Sequence, residues 1–283
     1  MTGLLRLASG PARASVDLEH GGRLASLTID GREVLVTTGW GPFSWGSFPM
    51  VPYAGRLRDG RFGYAGRTHD LPRNEPPFAI HGLLAERPWR RLGGAPGDLG
   101  ADAIGCELAD PWPFRGRAIQ TFALRDDALT TTLALEADEP QPATIGWHPW
   151  FRRRLEPVGV AAGVRVEIEA ERMYRRGADR LPTGDLVEAG SHPWDDCVIG
   201  LRRPPVVRWP GALAIELTAT ADHWVVYEES PDGVCVEPQT GPPDGLNLAP
   251  RIVLPGEPLE VTMVWRWQAD LSDPVEPGAG AGD

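Results

Sequence analysis

Apolar and polar residues alternate with a period of two along most of this 283-residue chain, and only an extended strand sends successive side chains to opposite faces. Val164-Arg165-Val166-Glu167-Ile168-Glu169-Ala170 is the clearest run, and the same alternation spans residues 129–137, 214–219 and 259–267. Each reads as a strand with one face buried. Asp30-Gly31 stands between two apolar runs as a two-residue hairpin turn, because both turn positions favour positive φ. Asp126-Asp127 reads as a second hairpin. The 29 Pro and 34 Gly punctuate the chain too often for long helices. These features predict an all-β fold, a large antiparallel sandwich with few or no long helices. Residues 1–268 contain no composition shift that would mark a boundary and read as one domain. Residues 269–283 are acidic, rich in Pro and Gly and without apolar periodicity, so a disordered tail is expected there.

Composition narrows the function. All 28 basic residues are Arg, so no ε-amine exists to form a Schiff base. The formal net charge of −11 argues against a nucleic-acid partner and against anionic membrane surfaces. Cys106, Cys197 and Cys235 are isolated in the sequence, and no paired Cys or His spacing points to a zinc site. Buried thiols in a reducing compartment are the expectation. Arg6 interrupts Leu4, Leu5 and Leu7 well short of a signal-peptide core, and no apolar run approaches the ~20 residues of a membrane span. The chain therefore reads as a cytoplasmic soluble protein, monomer or homodimer, with no metal or other cofactor.

Candidate chemistry sits in a few segments. Gly233 to Asn247 (GVCVEPQTGPPDGLN) carries Glu237 at the end of an apolar strand, followed by Pro238 and Gln239. Ile145 to Phe151 (IGWHPWF) carries His148 among three large aromatics. A His and a Glu at strand rims, surrounded by Trp, point to an acid and a base working on a sugar. His81 follows an apolar strand and precedes Gly82, the pattern of a side chain offered from a strand end or of a loop cap. Arg56 follows Gly55, where backbone can approach closely, and its planar guanidinium suits fixed contacts to hydroxyls or carboxylates. Asp195 and Asp196 follow Trp194, a carboxylate beside an indole. Trp147, Trp150 and Trp194 serve either as stacking walls or as core, and Trp150 reads as core. Arg172, Arg175 and Arg176 read as a solvated face. Arg152, Arg153 and Arg154, so close to His148, could meet a phosphate, as could Arg90 and Arg91.

In this chain order the segments resemble the aldose 1-epimerase (galactose mutarotase) family. AGRLRDG (54–60) is similar to its Asn-Arg segment, AIHG (79–82) to its first His motif and GWHPWF (146–151) to its second. WDDC (194–197) looks like the segment of its sugar-holding Asp, and CVEPQTGPPDGLN (235–247) like that of its catalytic Glu. The likeness spans residues 15 to about 267. It implies a galactose mutarotase-like β-supersandwich with a shallow cleft on one face. Glu237 would be the general base at the anomeric hydroxyl and His148 the general acid at the ring oxygen. Arg56, His81, Asp195, Gln239 and Trp147 would contact the sugar. The substrate would be a free aldose; a sugar phosphate, or a non-catalytic carbohydrate-binding role on the same fold, is the alternative. The chain departs from the family pattern at Gly55 and Trp147, where the family has Asn, and both departures bear on which aldose is preferred.

Overall fold

A computed structural model describes residues 3–93, 102–155 and 163–272. Most of its strand residues belong to two large antiparallel sheets. The first runs, edge to edge, through Leu4–Ser9, Ala12–Asp17, Arg23–Ile29, Ser47–Met50, Gly146–Arg152, Gly233–Gln239, His223–Tyr227, Asp195–Leu201, Ala170–Arg176 and Pro182–Glu188. The second runs through Arg90–Arg91, Ala103–Glu107, Gly116–Leu124, Ala128–Ala137, Leu259–Ala269, Leu213–Ala219, Val206–Trp209 and Arg165–Glu167. Among the described residues, helix is confined to Gly245–Leu248 and a single 3₁₀ turn at Arg58–Gly60. The all-β expectation holds, and the two-residue periodicity is its cause.

Alternation decides what lies between the sheets. Leu129, Leu133 and Leu135 of one long strand, with Val261, Met263 and Trp265 of its neighbour, share a buried cluster with Val234, Val236, Val226, Trp147 and Phe151 of the other sheet. Phe151 bridges the layers, its ring centroid 4.9 Å from Trp265 and 6.3 Å from Trp209. Asp30 and Gly31 take φ of 50° and 75°, the positive values a tight turn between Arg23–Ile29 and Arg32–Glu33 requires. The Asp126-Asp127 hairpin is also present, with Leu124 paired to Leu129 and the Arg125 amide donating to the Ala128 carbonyl at 2.7 Å.

One strand reading needs correction. Residues 164–170 are not one strand: Arg165–Glu167 belongs to the second sheet and Ala170–Arg176 to the first. The buried Ile168 marks the crossing between layers, and alternation cannot register such a crossing because both sheets share its period. At the other end the strand continues through Ala269, and Asp270 accepts from Arg208 Nη1 at 3.0 Å. Residues 273–283, most of the expected tail, lie outside the described residues.

Candidate active site

The first sheet is buried on one face against the second, and its other face floors a cleft of about 570 Å³. Register places the chemistry there. Gly146 pairs with Gln239 and Trp150 with Cys235, which sets His148 directly across from Glu237. His148 in turn pairs with Phe48, and Glu237 with Val225. Phe48, His148, Glu237 and Val225 therefore form one cross-strand row on the cleft face. The next row runs Trp150, Cys235, Tyr227, Asp195. Odd and even positions on neighbouring strands face the same way, so residues distant in sequence converge without any loop having to bring them together.

His148 Nε2 lies 3.3 Å from Glu237 Oε1, and Gln239 Nε2 donates to Glu237 Oε2 at 3.0 Å. Both members of the pair are buried, His148 at 5% and Glu237 at 2% exposure, on the floor of the cleft and inside their strands rather than at the rims the sequence reading gave them. Burial dominates their electrostatics. It lowers His148 to about 3, with the charges of Arg56 and Arg23 adding to the fall. It raises Glu237 well above the usual carboxylate range, with Asp195 adding to the rise. These shifts favour imidazole beside carboxylic acid over imidazolium beside carboxylate.

Loops supply the rest. Arg56 and Ile80 pair in a short two-stranded ribbon, and the His81 amide donates to the Gly55 carbonyl at 2.9 Å. His81 holds φ at 60°, a left-handed conformation uncommon outside Gly. Its ring meets His148 edge-on at 4.7 Å, and its Nδ1 lies 3.0 Å from Met50 Sδ. Burial, then His148 and Arg56, depress its basicity far below the usual imidazole value, so His81 is a neutral hydrogen-bonding group. Asp195 accepts from Arg180 Nη2 at 2.8 Å and faces Arg176 Nη1 at 3.4 Å, while Arg176 Nε reaches Asp196 at 2.9 Å.

The structure thus gathers His148, Glu237, Arg56, His81, Asp195 and Gln239 around one cleft. Trp147 is the exception. It is 1% exposed, belongs to the core between the sheets, and donates from Nε1 to Gln120 Oε1 at 3.0 Å. One position along the strand from His148, it must face the opposite way. Trp150, two positions along, shares the face of His148 and lines the cleft, its ring stacked on the imidazole at 5.5 Å. The roles assigned to these two indoles are exchanged. Tyr227 is reached by the same parity argument from Glu237. Arg176, read as part of a solvated face, also lines the cleft, with Arg180, Tyr174 and Trp40; nothing local in the sequence marks them. Arg90, Arg91 and Arg152 to Arg154 do not line it. Arg153 donates instead to the carbonyls of Ser230 and Glu228.

His148, Cys235 and Glu237 bring ligand atoms within 4.8 Å of one another. Burial pushes the Cys235 thiol far up, so an ion held by the trio would have to displace the thiol proton. Among the described residues no helix is long and apolar enough to cross a membrane.

Comparison with known proteins agrees with the fold. A galactose mutarotase-like protein from Clostridium acetobutylicum superposes with a TM-score of 0.78 over 94% of this chain and 95% of its own, at 17% identity. The GalM/aldose epimerase homologue from C. elegans gives 0.78 over 95% and 100%, at 15% identity. Galactose 1-epimerase from Lactobacillus acidophilus NCFM gives 0.74 over 94% and 95%, at 18% identity. These likenesses establish a shared fold. Among curated proteins, the uncharacterized protein YphB of Escherichia coli K12 is 31% identical over 110 residues, a match that spans 37% of this chain and 36% of that relative's length. The sequence profile of the family described as Aldose 1-epimerase matches residues 4–204, most of the chain, and the protein belongs to that family.

Proposed function

We propose that the protein interconverts the α and β anomers of a free aldose by acid–base ring opening and reclosure. The observation that carries this reading is the His148–Glu237 pair, 3.3 Å apart on the floor of the cleft, with His81 and Arg56 beside it. Glu237 takes the proton of the anomeric hydroxyl as the C1–O1 bond becomes a carbonyl. His148 gives a proton to the ring oxygen, which receives the electron pair of the breaking C1–O5 bond. The open aldehyde turns about C1–C2. The C5 hydroxyl then attacks the other carbonyl face, returning its proton to His148 while Glu237 protonates the carbonyl oxygen. Both groups end as they began.

One proton serves the pair before sugar binds. Burial favours the uncharged form of each group, and a bound sugar opposes that preference. Its hydroxyl donates to the carboxylate and its ring oxygen accepts from the imidazolium, and each hydrogen bond favours the charged form. Each positioned acid or base is worth on the order of 10²–10⁴-fold in rate.

Charge in the cleft favours a neutral aldose over a sugar phosphate. Its arginines are already engaged by carboxylates: Arg56 by Glu75 at 3.2 Å, Arg176 by Asp195 and Asp196, and Arg180 by Asp195 and Glu229. A phosphate would have to displace these partners. Polarimetry of freshly dissolved α-D-glucose and α-D-galactose, then of their 6-phosphates, tests the proposal. Acceleration with the free sugars that Glu237→Gln removes supports it. Acceleration confined to the phosphates would overturn the neutral-substrate reading, and sugar binding without acceleration would make the protein a carbohydrate-binding module.

A further inference from the structure

A catalytic imidazole is usually held in plane by a hydrogen bond on its second nitrogen. Among the described residues no other residue gives His148 one: its Nδ1 is buried and meets only its own backbone. Aromatic packing does that work instead. The ring lies between Phe48, stacked at 4.9 Å and 21°, and Trp150, stacked at 5.5 Å and 12°, with His81 against its edge. Phe48 belongs to the Ser47–Met50 strand, and one residue controls that segment. Arg23 is 1% exposed and forms no salt bridge among the described residues. Its Nε donates to the His20 carbonyl at 2.7 Å, Nη1 to Trp45 at 3.1 Å and Nη2 to Ala85 at 2.8 Å. Its guanidinium carbon sits 4.2 Å from the Trp45 ring centroid and 5.3 Å from that of Phe48. Only a planar cation with donors on several edges can hold three carbonyls and two rings together.

We propose that Arg23 is a positioning residue for the acid–base pair: by clamping the segment that carries Phe48, it holds the His148 ring in the plane that aims Nε2 at Glu237. The inference rests on the reading of that pair as the reacting groups. Arg23 does not line the cleft, so it acts through Phe48 and not on the sugar. Its charge has a second effect, since a buried cation behind the stack disfavours imidazolium. The other titratable or charged groups that face His148 are Glu237 and Cys235 on the neighbouring strand, His81, and Arg56, with Asp195 facing Glu237.

Two substitutions separate position from charge. Arg23→Lys keeps the charge, but one ammonium spans neither the three carbonyls nor the two rings; it is expected to lower kcat about tenfold, leave KM within about twofold and leave the pH–rate profile in place. Arg23→Met removes the charge as well; kcat falls at least as far, and the ¹⁵N titration of the His148 ring moves to higher pH. Folded variants with wild-type kcat and unchanged His148 ring resonances would overturn the proposal. If neither variant folds, Phe48→Leu, which leaves the three Arg23 hydrogen bonds in place, must reproduce the kcat loss at constant KM, and wild-type kcat there overturns it. The ¹⁵N ring resonances need no turnover. A wild-type protein that accelerates no anomerisation therefore counts against the acid–base reading, while unchanged resonances in Arg23→Met count against the role of Arg23.

Discussion

Glu237 and His148 are held where their charged forms are costly, and that cost makes opposite predictions for the two residues. His148 is lowered to about 3 in the folded protein, whereas an unfolded imidazole takes a proton near 6.5. The unfolded state therefore binds more protons between those values, and the His148 contribution to stability declines as pH falls from about 6.5 to about 3. His148→Asn should gain stability relative to wild type as the solution is acidified through that window. Glu237 is raised, so the folded state keeps a proton that the unfolded chain releases above about 4.3. Its contribution declines as pH rises beyond that point, and Glu237→Gln should gain relative to wild type from there upward. Urea midpoints at pH 4, 5.5 and 7 measure both, and a variant that tracks wild type at all three contradicts the shift assigned to that residue. In activity, Glu237→Gln and His148→Asn should each lose about 10²–10⁴-fold with an unchanged circular dichroism spectrum.

At the scale of elements, the decisive fact is the parity of the His148 strand. Trp147 and Trp150 have the same composition and nearly the same sequence neighbourhood, yet one fills the core and the other walls the cleft. Trp147→Ala should cost about 3–5 kcal/mol through the cavity it leaves between the sheets, read from the denaturant midpoint. Trp40 is the contrasting case, 82% exposed on the loop before the Ser47–Met50 strand and lining the cleft. With so little burial, Trp40→Ala should change stability by less than about 0.5 kcal/mol while raising KM several-fold through the loss of an aromatic surface for the sugar. An unchanged KM would remove Trp40 from the site. The strands themselves were legible because alternation is a local property; the split of residues 164–170 between two sheets was not, because the period continues across the crossing.

Across the whole molecule, the site depends on segments that no local pattern connects. Asp244, buried at a left-handed position, accepts from the Arg58 amide at 3.0 Å and from Asn247 Nδ2 at 2.8 Å, while its own amide donates to the Arg56 carbonyl at 2.6 Å. It pins the loop after the Glu237 strand to the loop that carries Arg56. Asp244→Ala should lower stability by about 1–3 kcal/mol through the amide left without an acceptor and raise KM as Arg56 loosens; an unchanged melting temperature and KM would exclude this staple. The sequence alone showed most of the strands, the two hairpins and which His and Glu are the candidates for acid and base, because periodicity, turn chemistry and side-chain chemistry are written in adjacent residues. The tertiary structure decided which indole meets the cleft, that Arg176 and Arg180 are already committed to carboxylates, and that burial disfavours the charged forms of His148 and Glu237. Those outcomes depend on register between strands and on what packs around each group, and burial is a property of the folded chain that neighbours in sequence do not encode.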